Sequence, residues 1–342
     1  MEFSVSQEMA FFQSLLGRTT LDAVKGAKAG LMQLESEDID DKSIQKVQEK
    51  ISTNLKEIKT VFYGDVDKEP KSDLSIEKTI TEILENDLLR FCIISLKSVE
   101  FETRRDIVTI VCFLLRRDLG PNQCSKYLSS NADIVEQLCK GYADVEIALS
   151  CGTILRDCIR HENLCLLLFN NDEILYPFFQ HVQSPSFDVS SDAFTTFKMI
   201  LTQHKDPAAD YLEMNYDKFF GAYNDLIQSK NYVSMRQSIK LLGEILLDRK
   251  NFNVMIKYIN SADNLKRMML LLRGRSKTIQ FEAFHVFKVF VANPDKSAPV
   301  LEILVRNKDK LIEFLSHFQE DKDEDEQFAE EKTILLTTLV RL

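Results

Sequence analysis

One regularity constrains the fold more than any other: an apolar pattern that returns about every 44 residues. Five stretches end in a polar or basic residue, at Arg117, His161, His204, Arg249 and Asn293, and these ends lie 44, 43, 45 and 44 residues apart. Ten residues before the ends stand Ile107, Cys151, Phe194, Ile239 and Ala283. Seven before stand Ile110, Ile154, Phe197, Leu242 and Val286, and three before stand Leu114, Cys158, Leu201, Leu246 and Phe290. All fifteen positions are apolar. Offsets of three, four and seven put them on one face of an α-helix. A period near 44 matches helical repeats of two or three helices, in which a unit buries its apolar face only against its neighbours.

The intervening segments Ser125–Lys140, Glu173–Val182, Tyr211–Gln228, Val254–Ile259, Asp263–Arg273 and Pro299–His317 also read as helical. The expected fold is therefore all-α, an armadillo- or HEAT-like solenoid of about six to seven repeats, mostly of three helices. Only 10 Gly and 7 Pro in 342 residues agree with long helices rather than many tight turns. A single helical-repeat domain over 1–342 accounts for the length, with four sections. Residues 1–20 form an arm or short helix, 21–96 irregular N-terminal repeats, 97–320 the regular array, and 321–342 an acidic segment with a final helix. Within the second section, helices are expected at Leu21–Leu34, interrupted by Gly26 and Gly30, at Ser43–Tyr63, and at Leu74–Leu96 as one helix or two. Acidic Glu35–Lys42 and Gly64–Asp73 read as turn and loop. Asn231–Phe252 reads as one amphipathic helix, and Lys332–Leu342 as the last.

The net charge of −10 argues against broad nucleic-acid binding, which needs clustered cations. Seven cysteines without a CxxC pair point to reduced thiols on buried faces, with Cys151, Cys158 and Cys165 spaced by seven along a helical path. The N-terminus has Glu2 and Glu8 where a secretory signal carries cations, and no apolar run reaches 18 residues. The expected compartment is cytoplasmic, without membrane insertion.

Motifs for catalysis are missing: no GxxxxGK[ST], GxGxxG or GxSxG occurs. His161 and His204 sit at equivalent repeat ends, where a helix C-terminus favours such a side chain. His285 reads as a satisfied, partly buried group. Asp321, Asp323 and Asp325 open like a calcium loop, but Glu326 and Lys332 stand where such a loop needs Gly and Glu. The expectation is a protein without enzyme activity, cofactor or metal.

A repeat array offers an extended surface to a partner protein. Arg236 and Arg249, with Phe252 just beyond, suit such a surface, set against ordinary packing of Phe252 and pairing of Arg249 with an acid. Met268-Met269 between Arg267 and Arg273 suits a pocket for an apolar peptide carrying acids, set against one Met inward and the other partly exposed. Arg306, Lys308 and Lys310 form a basic set on the following repeat, set against a solvated face.

Several segments together resemble one family: CGTILRDCIRHE (151–162), SFDVSSDAFTTFK (186–198), NYVSMRQSIKLLGEILLDR (231–249), NLKRMMLLLR (264–273), IQFEAFHVFKVFVANPDK (279–296) and DEQFAEEK (325–332). They resemble the Mo-twenty-five family, also called calcium-binding protein thirty-nine and, in filamentous fungi, hymA. The resemblance runs from about Ser43 to the C-terminus. It implies a non-catalytic armadillo-type scaffold that binds STRAD-type pseudokinases and sterile-twenty or germinal-centre kinases and holds them in an active-like conformation. In animals it implies a heterotrimer with the liver kinase B tumour suppressor. It also implies a pocket for a C-terminal Trp-Glu-Phe peptide at Arg236, Met269, Arg306 and Lys310, and a concave kinase-facing pair, Arg249 and Phe252. Met235 and Arg267 depart from the family's Lys and Leu, and the first 40 residues diverge most. A rival expectation is an armadillo-type adaptor that binds extended peptides of transport or cytoskeletal partners.

Overall fold

The computed structural model describes residues 19–36, 41–64, 71–117, 123–319 and 326–342. The expected N-terminal arm, the centres of the acidic turn and of the loop after Gly64, and Asp321, Asp323 and Asp325 lie outside the described residues. Among the described residues every regular element is helical. All fifteen stripe positions are buried, none more than 6% exposed. Full burial of a Leu, Ile or Phe contributes about 1.5–3 kcal/mol each, so the stripe is the main cohesive term of the repeat.

Several of the repeats have three helices. Between Arg117 and His161 these are Gln123–Ser130, Ala132–Lys140 and the long Ala148–Ile159. In the next, Glu162–Phe169 precedes the short turns Asp172–Leu175 and Phe178–His181 and the long Phe187–Thr202. Then come Lys205–Met214, Tyr216–Leu226 and Tyr232–Leu247, followed by Phe252–Ile259, Ala262–Leu272 and Lys277–Ala292. Ala298–Ser316 and Glu326–Val340 complete the chain. By packing, the chain divides into two compact units, 1–199 and 200–342. In the first, Asp41–Tyr63, Phe101–Arg116 and Ala148–Ile159 pack each against the next. In the second, Tyr232–Leu247 packs on Lys277–Ala292, which packs on Glu326–Val340.

Four expectations need correction. Gly26 and Gly30 do not interrupt their helix, which runs unbroken over Thr20–Leu34 from a capping box at Thr19 and Asp22. A Cβ at Gly30 would lie 2.6 Å from Ile51 Cγ1, and one at Gly26 2.9 Å from the Asn54 amide. These glycines let the helix approach Asp41–Tyr63 closely, and that gain outweighs their low propensity. Asn231–Phe252 is not one helix. Asn231 caps Tyr232–Leu247 by accepting from the amides of Val233 and Ser234, and Asp248 leaves helical geometry. Arg249–Asn251 is a 3-10 turn, and Phe252 opens the following helix. The last helix starts at Glu326 rather than Lys332. Phe328, Lys332, Leu335 and Leu339 fall on one buried face, and acids in a first turn suit the positive end of a helix. Cys165 does not share a helix with Cys151 and Cys158, although all seven thiols are buried. Burial pushes Cys92, Cys112, Cys151 and Cys165 up to about 12, so they are inert at neutral pH.

The histidines keep structural places. His161 Nε2 lies 2.8 Å from the Leu115 carbonyl, in the last turn of Phe101–Arg116. It therefore serves the helix end of the preceding repeat rather than its own. His204 occupies the N-cap position of Lys205–Met214. His285 is half-buried beside Glu331 at 3.7 Å. Among the described residues no helix is long and apolar enough to cross a membrane.

Candidate functional site

In the C-terminal unit the helices Ala262–Leu272 and Ala298–Ser316 flank a groove of about 650 Å³. The first helix begins at Ser261, whose hydroxyl accepts from the Asn264 amide. Its apolar stripe sends Leu265, Met268 and Leu272 inward. Met268 is fully buried, and Met269, one position round the helix, is half-buried at the groove wall. Leu270, 64% exposed, extends the same wall. From the second helix come Ile303, Arg306, Asn307, Lys310, Leu311 and Phe314. Successive offsets of four residues put Arg306, Lys310 and Phe314 on one side of that helix.

The charge around this groove is one-sided. Lys266, Arg273, Arg306 and Lys310 line it, and among the described residues no carboxylate does. Lys266 is paired with Asp263 at 3.1 Å. Among the described residues Arg273, Arg306 and Lys310 have no ion-pair or hydrogen-bond partner, and all three are exposed. An apolar floor of Met, Leu, Ile and Phe side chains inside a ring of unpaired cations suits a ligand that brings rings and anions together. Lys308 does not join the set. It is two residues from Arg306 and from Lys310, points away, and donates to the Val340 carbonyl at 2.7 Å.

Arg236 stands in a different groove, of about 540 Å³, formed by Tyr232–Leu247 and Lys277–Ala292. Ile239, Phe281 and Leu247 give it an apolar wall, and Glu282 meets the guanidinium at 3.4 Å. Arg236 is thus half-neutralised where Arg306 is not. Arg249 and Phe252 line neither groove. Arg249 is exposed and unpaired among the described residues, and Phe252 is 58% exposed. Around them the ion pairs Lys205–Asp248 at 2.6 Å and Lys250–Asp206 at 2.5 Å tie the turn to Lys205–Met214. Those neighbours hold the turn, and Arg249 and Phe252 project from it.

The sequence profile of Mo25-like proteins matches residues 10–342. The chain belongs to the Mo25-like family. It is 48% identical over 318 residues to a calcium-binding protein 39-like of Mus musculus, covering 92% of each chain. It is 42% identical over 335 residues to a Mo25-like protein of Schizosaccharomyces pombe, covering 98% of this chain and all of that one. The conidiophore development protein hymA of Emericella nidulans is 37% identical, with 95% and 91% covered. A designed armadillo repeat protein aligns over 77% of this chain at 13% identity and a TM-score of 0.45.

For this Mo25-like chain, the six residues singled out in the sequence fall in three places. Met269, Arg306 and Lys310 share one groove, Arg236 lines another, and Arg249 with Phe252 forms an exposed pair. Sequence reasoning missed Ile303 and Phe314 as groove residues and gave Arg273 no separate role. The signal was available, since Arg273 lies four residues after Met269 and Phe314 four after Lys310. No group of three or more His, Cys, Asp and Glu among the described residues is arranged to hold a metal ion.

Proposed function

We propose that this chain is a non-enzymatic scaffold that binds a protein kinase or pseudokinase of the sterile-twenty and germinal-centre group and stabilises its active conformation. One observation carries the reading: among the described residues the apolar groove at Met269 has three unpaired cations around it and no acid. Such a groove has a reason to take a peptide tail that ends in aromatic and acidic residues, as the family resemblance implies for Trp-Glu-Phe. The rings lie against Met269, Ile303 and Phe314. The glutamate and terminal carboxylate meet Arg306, Lys310 and Arg273. Tail capture brings the kinase domain to the scaffold, and Arg249 with Phe252 then contacts its body. Arg with an exposed aromatic is a frequent composition of interface hot spots. Activation follows when that contact favours the active conformation over the inactive one, because only differential affinity shifts such an equilibrium.

Calorimetry with a synthetic peptide ending in Trp-Glu-Phe tests the first step. Binding to the wild type, weakened roughly tenfold or more by Met269→Ala, supports it; no binding to the wild type rejects it. A purified germinal-centre kinase tests the second. Arg249→Ala with Phe252→Ala should lower its stimulation while tail binding persists, and undiminished stimulation would reject the assignment.

A further inference from the structure

Of the 15 arginines in the chain, only two stand three residues before a Ser or Thr, and both do so in one turn. Arg273 precedes Ser276 and Arg275 precedes Thr278, in RGRSKT (273–278). The turn joins Ala262–Leu272 to Lys277–Ala292. Basophilic protein kinases select an arginine at that spacing, because acids in the substrate cleft pair with it while the acceptor hydroxyl reaches the catalytic carboxylate.

The structure separates the two hydroxyls. Ser276 lies outside both helices, with φ −85° and ψ 114°, an extended backbone of the kind a substrate cleft holds. Thr278 is already helical and half-buried in the wall of the Arg236 groove. Arg273, Arg275 and Lys277 are exposed around Ser276, and no residue from 264 to 281 is acidic. Ser276 Oγ caps the following helix loosely, accepting from the Ile279 amide at 3.4 Å. It also meets the Tyr232 hydroxyl, on a ring that is 46% exposed, so the contact lies at the surface. The first turn of a helix opens at low cost, which lets this turn enter a cleft without unfolding the repeat. Ser72, Ser261 and Ser297 also precede helices, but they have Glu69, Tyr258 and Pro294 where Ser276 has Arg273.

We propose that Ser276 is a phosphorylation site for a basophilic serine/threonine kinase. The hydroxyl oxygen bonds to the γ-phosphorus of ATP, the bond from that phosphorus to the bridging oxygen breaks, and ADP leaves. The hydroxyl proton passes to the kinase's catalytic carboxylate. The product carries close to two negative charges at neutral pH. Arg273, Arg275 and Lys277 surround it, so the fold tolerates the charge. It also stands between two grooves, since Arg273 lines the one at Met269 while Lys277 and Thr278 line the one at Arg236. There it competes for Arg273 and repels carboxylates of an incoming peptide. Phosphorylation thus weakens capture of acidic tails. That consequence rests on the tail-binding reading above, and the modification itself does not.

The site is tested on the full chain with ATP and calmodulin-dependent kinase II, which selects Arg three residues before its acceptor, read by mass spectrometry of peptides. Phosphate should appear on Ser276. Arg273→Ala, a change at an exposed position, should slow its appearance roughly tenfold or more, and Ser276→Ala should abolish it. A synthetic peptide covering 268–283 is the control for access. Phosphorylation of that peptide but not of the folded chain overturns the site, as does phosphate on Thr278 in place of Ser276. A rate indifferent to Arg273→Ala overturns the recognition. Calorimetry then reads the consequence. The phosphorylated chain should bind a Trp-Glu-Phe peptide roughly five- to tenfold more weakly, and phosphatase should restore the affinity. Equal affinity overturns the consequence. No binding to the unmodified chain overturns the tail reading and leaves the modification standing.

Discussion

The arginines of the two units live differently. In the N-terminal unit every described arginine has a carboxylate within ion-pair distance, and most pairs join one repeat to the next. Arg90 pairs with Asp133, Arg116 with Asp157 at 2.8 Å, Arg156 with Asp192 at 2.8 Å, and Arg117 with Asp73. Arg104 goes furthest. Its side chain is only 6% exposed, it pairs with Glu146 at 2.6 Å, and it donates to the carbonyls of Leu96, Val99 and Glu146. In the C-terminal unit Arg236 alone among the described arginines has a carboxylate partner. Arg249, Arg273 and Arg306 have none among the described residues. Like residues on like repeats are thus consumed by packing in one unit and left available in the other. A basic residue is informative about function only once its acid has been looked for.

The difference has a sharp consequence at Arg104. Its replacement by Ala leaves three carbonyls short of a donor and a nearly buried site empty. We expect a loss of about 3–5 kcal/mol in unfolding free energy, read by urea titration, and no change in tail affinity. A loss under about 1 kcal/mol would show that these repeat-to-repeat arginines are ornaments and would erase the contrast. The opposite pattern is expected at the groove. Arg306→Ala with Lys310→Ala should weaken binding of a Trp-Glu-Phe peptide by about 2 kcal/mol, roughly thirtyfold, while unfolding free energy moves by less than about 0.5 kcal/mol. Stability falling in step with affinity would show the cations to be structural after all.

How much of this was legible in the sequence follows from the same physics. The repeat was, because burial enforces a period that apolar residues must obey: Ile107, Ile154, Phe197, Leu242 and Val286 could be placed in the core from spacing alone. Gly30 could not, because its role depends on Ile51 in another helix, and propensity sees only the local chain. The break after Leu247 was hidden for a related reason. Nothing in LLDRKNF forbids one more helical turn, and Asp248 ends the helix by accepting from the Lys250 amide, a choice between two good hydrogen-bond patterns. At the site, the Met268-Met269 pair and the basic set of Arg306, Lys308 and Lys310 could be picked out from residue types, but their joint assignment to a tail pocket came from family resemblance. That Met269, Arg306 and Lys310 share a groove, and that Arg236 lines a different one, depends on helix neighbours that no single sequence pattern encodes.

The exposed pair at the turn gives a smaller effect that bears on the kinase step alone. Phe252→Ala removes a side chain already 58% in water, so unfolding free energy should change by under about 0.5 kcal/mol. A fall in kinase stimulation of several-fold, with the Trp-Glu-Phe peptide bound as before, is the expected result in a purified assay. A stability loss of about 2 kcal/mol would instead assign Phe252 to packing.

The smallest expected effect tests the contrast from the inside, by converting a paired arginine into an unpaired one. Glu282 lies 3.4 Å from Arg236 and is mostly shielded from water, while the guanidinium is half exposed. Glu282→Gln keeps the shape and removes the charge. Exposed pairs of this kind are worth about 0.2–1 kcal/mol, so stability should hardly move. A tail ending in Trp-Glu-Phe should then bind two- to fivefold tighter, because Arg236 no longer divides its charge between Glu282 and the peptide. If it does not, pairing does not decide which cations of this unit are available, and Arg306 and Arg273 owe their role to the apolar floor beside them.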